Sequence, residues 1–465
     1  MKKTLIILIV LVTTTLSFSQ SEKYHLAFEN FKTNYNLGQY DAIFDSFSLE
    51  MQKALPIANC SQFFGRLQLQ AGKITNFSFQ KMKNQSYAVY KTTFERDVFS
   101  IQISIDDKDK INGLLVKPLM PTAASRLVNN LSTYPKEIAT IIFENTKNFP
   151  TNTQLTIAII KDGKTNYYGV QVANDTLIEV VNQDKCFEIG SLSKVFTSTI
   201  LAELVVADKL KLSDNINSYY PFSFKNSNKI TFESLANHTS GLPRLPTNLE
   251  ETNDETPYKT YGAKELDFYL KNEMQLTKDA DNVYGYSNLG AGLLGYTLGI
   301  SQKTTLQSLF KDLIFRRYKM NNSFTSSNAL PNKLVRGLNE DGEVVSNWDF
   351  DVLLGAGGII STTADLVQFA EAQFDVKNKA LELTRKSTST VNESMEIGLG
   401  WHLVDSDKSK HLIWHNGGTG GYSSSMVLDV KNKNGIIILS NVSGLSSQHE
   451  KIDALGFELL SEIEK

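Results

Sequence analysis

Runs suited to buried strands occur at both ends of the stretch from residue 151 to the C-terminus and are sparse between them, and that distribution constrains the fold most. Leu155 to Ile160, the turn pair Asp162-Gly163 and Tyr167 to Val170 predict a hairpin. Strand-like runs return at Leu412 to His415, Tyr422 to Val430 and Gly435 to Ser440, and a final helix from Lys451 carries Ile452, Leu455, Phe457, Leu459 and Leu460. The middle, Ser191 to about Gly358, reads as mostly helical with polar insertions. An antiparallel sheet assembled from both ends of a domain, flanked by helices and with a helical subdomain inserted, is an α+β architecture.

A smaller unit precedes it. Between Tyr24 and Phe47 lie two apolar helical stripes, Leu26, Phe28, Phe31 and Tyr35, then Tyr40, Ile43, Phe44 and Phe47, with Gly38 between them. A short helix with Phe63, Phe64 and Leu67 ends near Gly72. Runs with strand character follow at Ile74 to Phe79, Tyr87 to Phe94, Val98 to Ile105 and Ile111 to Val116. Helices followed by a meander predict a small α+β domain over residues 20–118, similar to the cone-shaped nuclear-transport-factor-like domains found before some secreted hydrolases. Pro118 and Pro121 punctuate the chain, and residues 119–150 read as a linker with helical pieces. A length of 465 residues suits two or three domains at about 150 residues each.

The first residues follow another rule. Lys2 and Lys3 precede an apolar run from Leu5 to Val12, then threonines and Ser17 and Ser19 around Phe18. That run is far shorter than the ~18 residues needed to span a bilayer, and its order is that of a secretory signal, residues 1–19 with cleavage after Ser19. The expectation is an exported protein, periplasmic or secreted, with no membrane span once the signal is removed. Two cysteines, Cys60 and Cys186, are too few for a disulfide framework and read as buried thiols. The net charge of −3 leaves no electrostatic footprint for nucleic acid.

Three short constellations could carry chemistry. A serine becomes a useful nucleophile when a neighbouring base takes its proton, and a lysine one helical turn later can be that base. Ser191-Leu192-Ser193-Lys194 has this spacing and is followed by an apolar stripe of Val195, Phe196, Ile200, Leu201, Leu204 and Val205. Ser78 with Lys81 and Ser308 with Lys311 share the spacing, but the first pair lies in a predicted strand, where such positions face apart, and the second on an ordinary amphipathic helix. Tyr286-Ser287-Asn288 is the second constellation: a phenol and an ammonium titrate close together and can relay a proton, and an asparagine beside them can donate to a substrate carbonyl. His415-Asn416-Gly417-Gly418-Thr419-Gly420-Gly421-Tyr422 is the third, a glycine-rich lead into a strand whose backbone can approach a ligand and lend an N–H to an oxyanion.

Competing patterns are weaker. Gly290 to Gly295 fits the dinucleotide fingerprint but lacks a preceding strand, so small-residue helix packing explains it better. No Gly-x-Ser-x-Gly elbow is present. His411 and His415 have the spacing of a zinc helix but sit in a predicted strand, roughly 13 Å apart, with Leu412 where that motif needs glutamate. Neither a metal nor a cofactor is expected.

In their order, Ser-x-x-Lys, Tyr-x-Asn and His-x-Gly resemble the serine beta-lactamase-like family of class C beta-lactamases, D-alanyl-D-alanine carboxypeptidases and related esterases. Asn237-His238-Thr239-Ser240-Gly241-Leu242-Pro243, Gly357-Gly358-Ile359-Ile360-Ser361-Thr362 with Asp365, and Gly398-Leu399-Gly400-Trp401 add to the likeness, which runs from about Pro150 to the C-terminus. The resemblance implies that residues 151–465 form a beta-lactamase/transpeptidase-like serine hydrolase domain acting on a small-molecule or peptide-like substrate. It further implies that Ser191 is acylated, that Lys194 and Tyr286 handle its proton, that Asn288 holds the substrate carbonyl, and that N–H groups of Ser191 and Gly418 make the oxyanion hole, with His415 and Gly417 beside them. His415 departs from the lysine usual in beta-lactamases of the family. A histidine near its ordinary ~6.5 is mostly neutral, which favours an ester or amide less anionic than a beta-lactam. Arg316-Arg317-Tyr318-Lys319-Met320 replaces the family's usual Pro-Leu-Gly-Met, with an expected effect on structure only. Penicillin binding or D-Ala-D-Ala peptidase chemistry is the alternative in the same class, and a catalytically silent scaffold the alternative in another.

Overall fold

A computed structural model describes residues 7–83, 86–118, 127–249, 256–276, 283–330, 333–406 and 410–465. The chain divides into two compact units, Met1–Ser125 and Arg126–Lys465. Residues 1–6 of the expected signal lie outside the described residues, and its remainder enters one continuous helix, Ile7–Asn36. Among the described residues no helix is long and apolar enough to cross a membrane.

In the smaller unit, helices Ile7–Asn36, Tyr40–Asp45, Leu49–Ala54 and Ile57–Ala71 precede strands β1 (Ile74–Lys83), β2 (Tyr87–Phe94), β3 (Val98–Ile105) and β4 (Ile111–Pro118). The strands form an antiparallel meander in sequence order. The first helix buries Phe28, Phe31 and Tyr35, spaced to share one face, with Phe64, against Tyr90, Phe94, Ile101 and Ile103 of the sheet. This is the helix-on-sheet α+β unit that the sequence pattern predicts. Cys60 belongs to its core and Cys186 to the other unit; both are buried and unpaired.

The larger unit is built on a ten-stranded sheet. Its strands are β5 (Val128–Asn130), β6 (Gln154–Lys161), β7 (Lys164–Ala173), β8 (Thr176–Val180), β11 (Ser389–Asn392), β12 (Met395–Ile397), β13 (His402–Ser406), β14 (Lys410–Gly418), β15 (Ser423–Asp429) and β16 (Asn434–Ser440). They run β11-β12-β13-β14-β15-β16-β6-β7-β8-β5. The two ends of the domain meet in register at the centre, with Ile437 opposite Ala158. β9 (Phe187–Glu188) and β10 (Ile360–Ser361) form a separate pair. The sheet is antiparallel except that β5 runs parallel to β8 on its edge.

Alternation along the central strands splits the core. Leu155, Ile157 and Ile159 of β6 and Ile436 and Ile438 of β16 meet helices Lys136–Thr146 and His449–Ile463 on one face. Ala158, Ile160, Ile437 and Leu439 face the helical region on the other, which includes Ser193–Val206 and Asn288–Ser301. Residues 127–150, expected to be a linker, therefore belong to this domain: β5 extends the sheet, and Leu131, Ile138, Ile142 and Phe149 enter its core. Residues 119–126 of that expected linker lie outside the described residues.

Candidate active site

Ser191 sits in a single 3-10 turn, Gly190–Leu192, that leads straight into helix Ser193–Val206. Every residue of that helix from Ser193 to Leu204 is buried, so the helix is a fixed strut rather than a surface element. The turn is held from three directions. Ile189 N–H donates to the Ile359 carbonyl at 3.0 Å, the Ile189 carbonyl accepts from Ser424 Oγ at 2.8 Å, and Ser193 Oγ accepts from Ile359 N–H at 3.1 Å. Gly190 has φ of +51°, a region that suits glycine.

The glycine-rich segment meets this turn through bare backbone. A Cβ on Gly417 would come within 2.0 Å of the Ile189 carbonyl and 2.8 Å of Ser191 N, and one on Gly190 within 2.6 Å of Gly418 N. The main-chain nitrogens of Ser191 and Gly418 are thus carried on two adjoining segments, the turn and the end of β14.

Lys194 is almost wholly buried, at 2% exposure. Its Nζ donates to Ser191 Oγ at 3.0 Å, Asn288 Oδ1 at 2.9 Å and the Ala356 carbonyl at 2.7 Å, which uses all three ammonium hydrogens on oxygen acceptors. Burial, and secondarily the guanidinium of Arg244, holds its pKa well below the ordinary lysine value. Asn288 opens helix Asn288–Ser301, capped by Ser287, whose Oγ accepts from Gly290 N at 2.8 Å and donates to the Pro243 carbonyl at 2.6 Å. Tyr286, just before the cap, lies near enough to Ser191 for that hydroxyl to favour its ionised form. Burial nevertheless pushes its phenol up to about 12, against the opposing pull of the Ser191 hydroxyl and of Arg244. Lys194 Nζ lies 4.9 Å and the Arg244 guanidinium 5.2 Å from the Tyr286 ring centroid. Ser191, Tyr286 and Asn288 remain partly exposed, so the cluster is open to a ligand at the serine.

Three histidines surround it, and burial lowers the pKa of each. His238 Nδ1 accepts from Ser287 N–H at 3.3 Å, and its ring lies 4.6 Å from that of Tyr286. His402, lowered to about 4, pairs through Nε2 with the Tyr284 hydroxyl at 3.0 Å. His415, 1% exposed, has Nδ1 2.6 Å from the Asn416 carbonyl; since a carbonyl only accepts, Nδ1 carries the proton and Nε2 keeps a lone pair. Where a lysine would place a cation, this chain places a neutral, buried imidazole.

The structure therefore brings together every residue singled out by sequence: Ser191, Lys194, Tyr286, Asn288, His415, Gly417 and Gly418. Sequence reasoning missed the Ala356 carbonyl, Arg244, Tyr258 and Glu188. Arg244 directly follows the quoted stretch Asn237 to Pro243 and Glu188 lies three residues before Ser191, which was the available signal; a main-chain carbonyl has none. The competing patterns resolve as expected. Ser78 lies in β1, His411 and His415 lie in β14, and Gly292 and Gly295 pack closely against Leu353 and Leu306. No group of three or more metal-ligating side chains occurs among the described residues.

Comparison with known proteins agrees with this geometry. The family described as beta-lactamase matches residues 148–460, and a family described only as a protein of unknown function, DUF3887, matches residues 29–114. The chain is 26% identical to a beta-lactamase of Pseudomonas fluorescens, covering 54% of this chain and 69% of that one. It is also 26% identical to a beta-lactamase of Psychrobacter immobilis (62% and 78%) and 28% identical to beta-lactamase-like protein 4 of Dictyostelium discoideum (61% and 54%). A beta-lactamase/D-alanine carboxypeptidase from Pseudomonas syringae has the same fold, with a TM-score of 0.59 at 22% identity over 70% of this chain and 98% of that one. With two thirds of its length matched and its serine, lysine and tyrosine gathered in one place, the chain belongs to the beta-lactamase family of serine hydrolases.

Proposed function

We propose that this protein is an exported serine hydrolase that cleaves ester or peptide-like amide substrates through an acyl-enzyme on Ser191. The observation that carries the reading is the position of Lys194 Nζ, within hydrogen-bond reach of both Ser191 Oγ and Asn288 Oδ1, residues from separate stretches of the chain. Ser191 Oγ attacks the substrate carbonyl carbon while its proton passes to the coupled Lys194 and Tyr286 pair. The carbonyl oxygen becomes an oxyanion facing the N–H groups of Ser191 and Gly418, and Asn288 holds the substrate's neighbouring carbonyl. Tyr286 returns the proton to the leaving group as the bond breaks. Water, deprotonated by the same pair, then releases the acid and restores Ser191. The neutral acceptor at His415 supports a less anionic substrate than a beta-lactam. The apolar run after Lys2 and Lys3 supports export.

The test is exposure of the protein to a fluorophosphonate probe, a labelled penicillin and a short nitrophenyl ester, beside Ser191→Ala and Tyr286→Phe. Labelling and ester turnover are expected in wild type and absent in Ser191→Ala, and Tyr286→Phe loses turnover by about a hundred-fold or more while folding normally. Labelling that persists without Ser191 removes it as nucleophile. A penicillin burst without turnover identifies a receptor, and an inert wild type identifies a scaffold.

A further inference from the structure

Asn416 lies between His415 and Gly417, and the mechanism above gives it no part. Alternate residues of β14 turn to opposite faces of the sheet. Ile413 and Gly417 face the helical region and the turn that carries Ser191, whereas Leu412 and Trp414 meet helix His449–Ile463. Asn416 follows the second set. Its Nδ2 donates to Asp453 Oδ2 of that helix at 2.6 Å, and Trp414 Nε1 donates to Asp453 Oδ1 at 3.2 Å, so one carboxylate holds two residues of the same strand face. The Asn416 carbonyl meanwhile accepts from His415 Nδ1–H, which ties the residue at its main chain as well.

The helix grips the neighbouring strand one turn earlier. Ser423 Oγ donates its single proton to the Val442 carbonyl at 2.8 Å, so it accepts from His449 Nδ1–H at 2.9 Å. Ser423 stands opposite Gly418 in register, and a Cβ on Gly418 would come within 3.5 Å of His449 Cε1. Asp453 and His449, four residues apart on one helix face, thus brace the hairpin of β14 and β15 at the level of Gly418.

We propose that Asp453 is a positioning residue for the hydrolase: through Asn416 it fixes the end of β14, and with it the direction of the Gly418 N–H, from the sheet face opposite Ser191. The inference rests on the reading of Ser191 as the acylated nucleophile and of Gly418 as an oxyanion donor. Gly417, Gly418, Gly420 and Gly421 have no side chains with which to anchor their own backbone, so the last side chain before them is where the strand end can be held. A donor stabilises an oxyanion most when its direction is set before charge develops.

The experiment measures kcat and KM for a short nitrophenyl ester, with fluorophosphonate labelling of Ser191 and urea unfolding on the same preparations. Asp453→Ala is expected to lower kcat about ten-fold or more with KM within about two-fold of wild type, the split that marks a loss felt in the transition state. Asp453→Asn restores most of that loss, because its amide oxygen accepts from Asn416 while Trp414 Nε1 keeps Ser425 Oγ at 3.3 Å. Asn416→Ala, which leaves the helix untouched, shows the same split, and the double variant loses no more than either single one. Where Asp453→Ala does not fold, the kcat of Asn416→Ala decides. Ile463→Ala, buried at the far end of the same helix, loosens packing and leaves kcat unchanged. While Ser191 is still labelled, the positioning role alone is overturned by an unmoved kcat in Asp453→Ala or Asn416→Ala, by losses that add in the double variant, by no recovery in Asp453→Asn, or by an equal loss in Ile463→Ala. A wild type that is not labelled at Ser191 overturns the hydrolase reading and the positioning role with it.

Discussion

Lys194 and Glu188 show how burial sets the chemistry of single residues here. Lys194 makes its three hydrogen bonds to a hydroxyl, an amide and a main-chain carbonyl, none of them a carboxylate, so its charge is solvated by dipoles alone and its proton is easily given up. A salt-bridged lysine would keep that proton and make a poor base. Glu188 is pushed the other way, up to about 7, by burial first, with the Asp349 charge adding to it; the nearby Thr419 hydroxyl and the hydrogen bonds from Asn347 and Trp348 oppose the rise. The folded protein then binds this proton more tightly than the unfolded chain, whose glutamate titrates near 4.5. Stability from this group is greatest below about pH 4.5, falls as pH rises through the interval up to 7 and is flat above it, a loss of roughly 3 kcal/mol in all. Glu188→Gln is expected to raise the stability of the larger unit at pH 8 relative to pH 4.5 by about that amount, measured by urea unfolding at the two pH values. An equal effect at both would assign the titration to another group. The Ser191 and Lys194 spacing made their meeting legible in sequence, since it needs only one helical turn. Glu188 was not legible as a latch, because Asn347 and Trp348 join it only through the folded chain.

At the scale of elements, the site is a seam between the turn Gly190–Leu192 and the end of β14, closed by backbone alone. Gly417 has almost no room: a methyl group there must displace the Ile189 carbonyl or the Ser191 nitrogen, neither of which is a flexible side-chain end. Gly417→Ala is therefore expected to cost about 1–3 kcal/mol of stability and, by moving the nucleophile relative to Gly418, about a hundred-fold in kcat/KM. Denaturant unfolding and ester kinetics on the same preparation check both, and a stable variant with wild-type kinetics would show that the seam can open without moving Ser191. The seam was legible because glycines flank a strand-like run. The far edge of the sheet was not: β11, Ser389–Asn392, alternates between intermediate and exposed positions, and β12 has only three residues. Such strands exist because β13 templates β12, and β12 in turn β11, through hydrogen bonds, and their own composition carries little apolar signal.

For the whole molecule, the sequence pattern located both units but misplaced the start of the second. Pro121, Pro135 and Pro150 punctuate the stretch before β6, and loop-like punctuation hid an edge strand and the fact that the expected helical piece, Lys136–Thr146, packs into the domain. Parallel pairing of β5 with β8 joins residues on either side of β6 and β7, so no local hairpin signal announces it. The consequence is measurable. Leu131, Ile138, Ile142 and Phe149 are each buried with the C-terminal helix and the sheet, and at about 1.5–3 kcal/mol per buried side chain their removal costs roughly 6–12 kcal/mol. A domain's whole stability is about 5–15 kcal/mol. A fragment of residues 127–465 is thus expected to unfold cooperatively with the melting temperature of the larger unit in the full chain, whereas a fragment of residues 151–465 is expected to be insoluble or to lack a cooperative transition by circular dichroism and calorimetry. Equal melting of the two fragments would make Lys136–Thr146 an appendage. The expected difference instead makes that helix, with His449–Ile463, the cover that lets the central strands be apolar on both faces, and the sheet built on those strands carries Gly417 and Gly418, at the end of β14, to the serine.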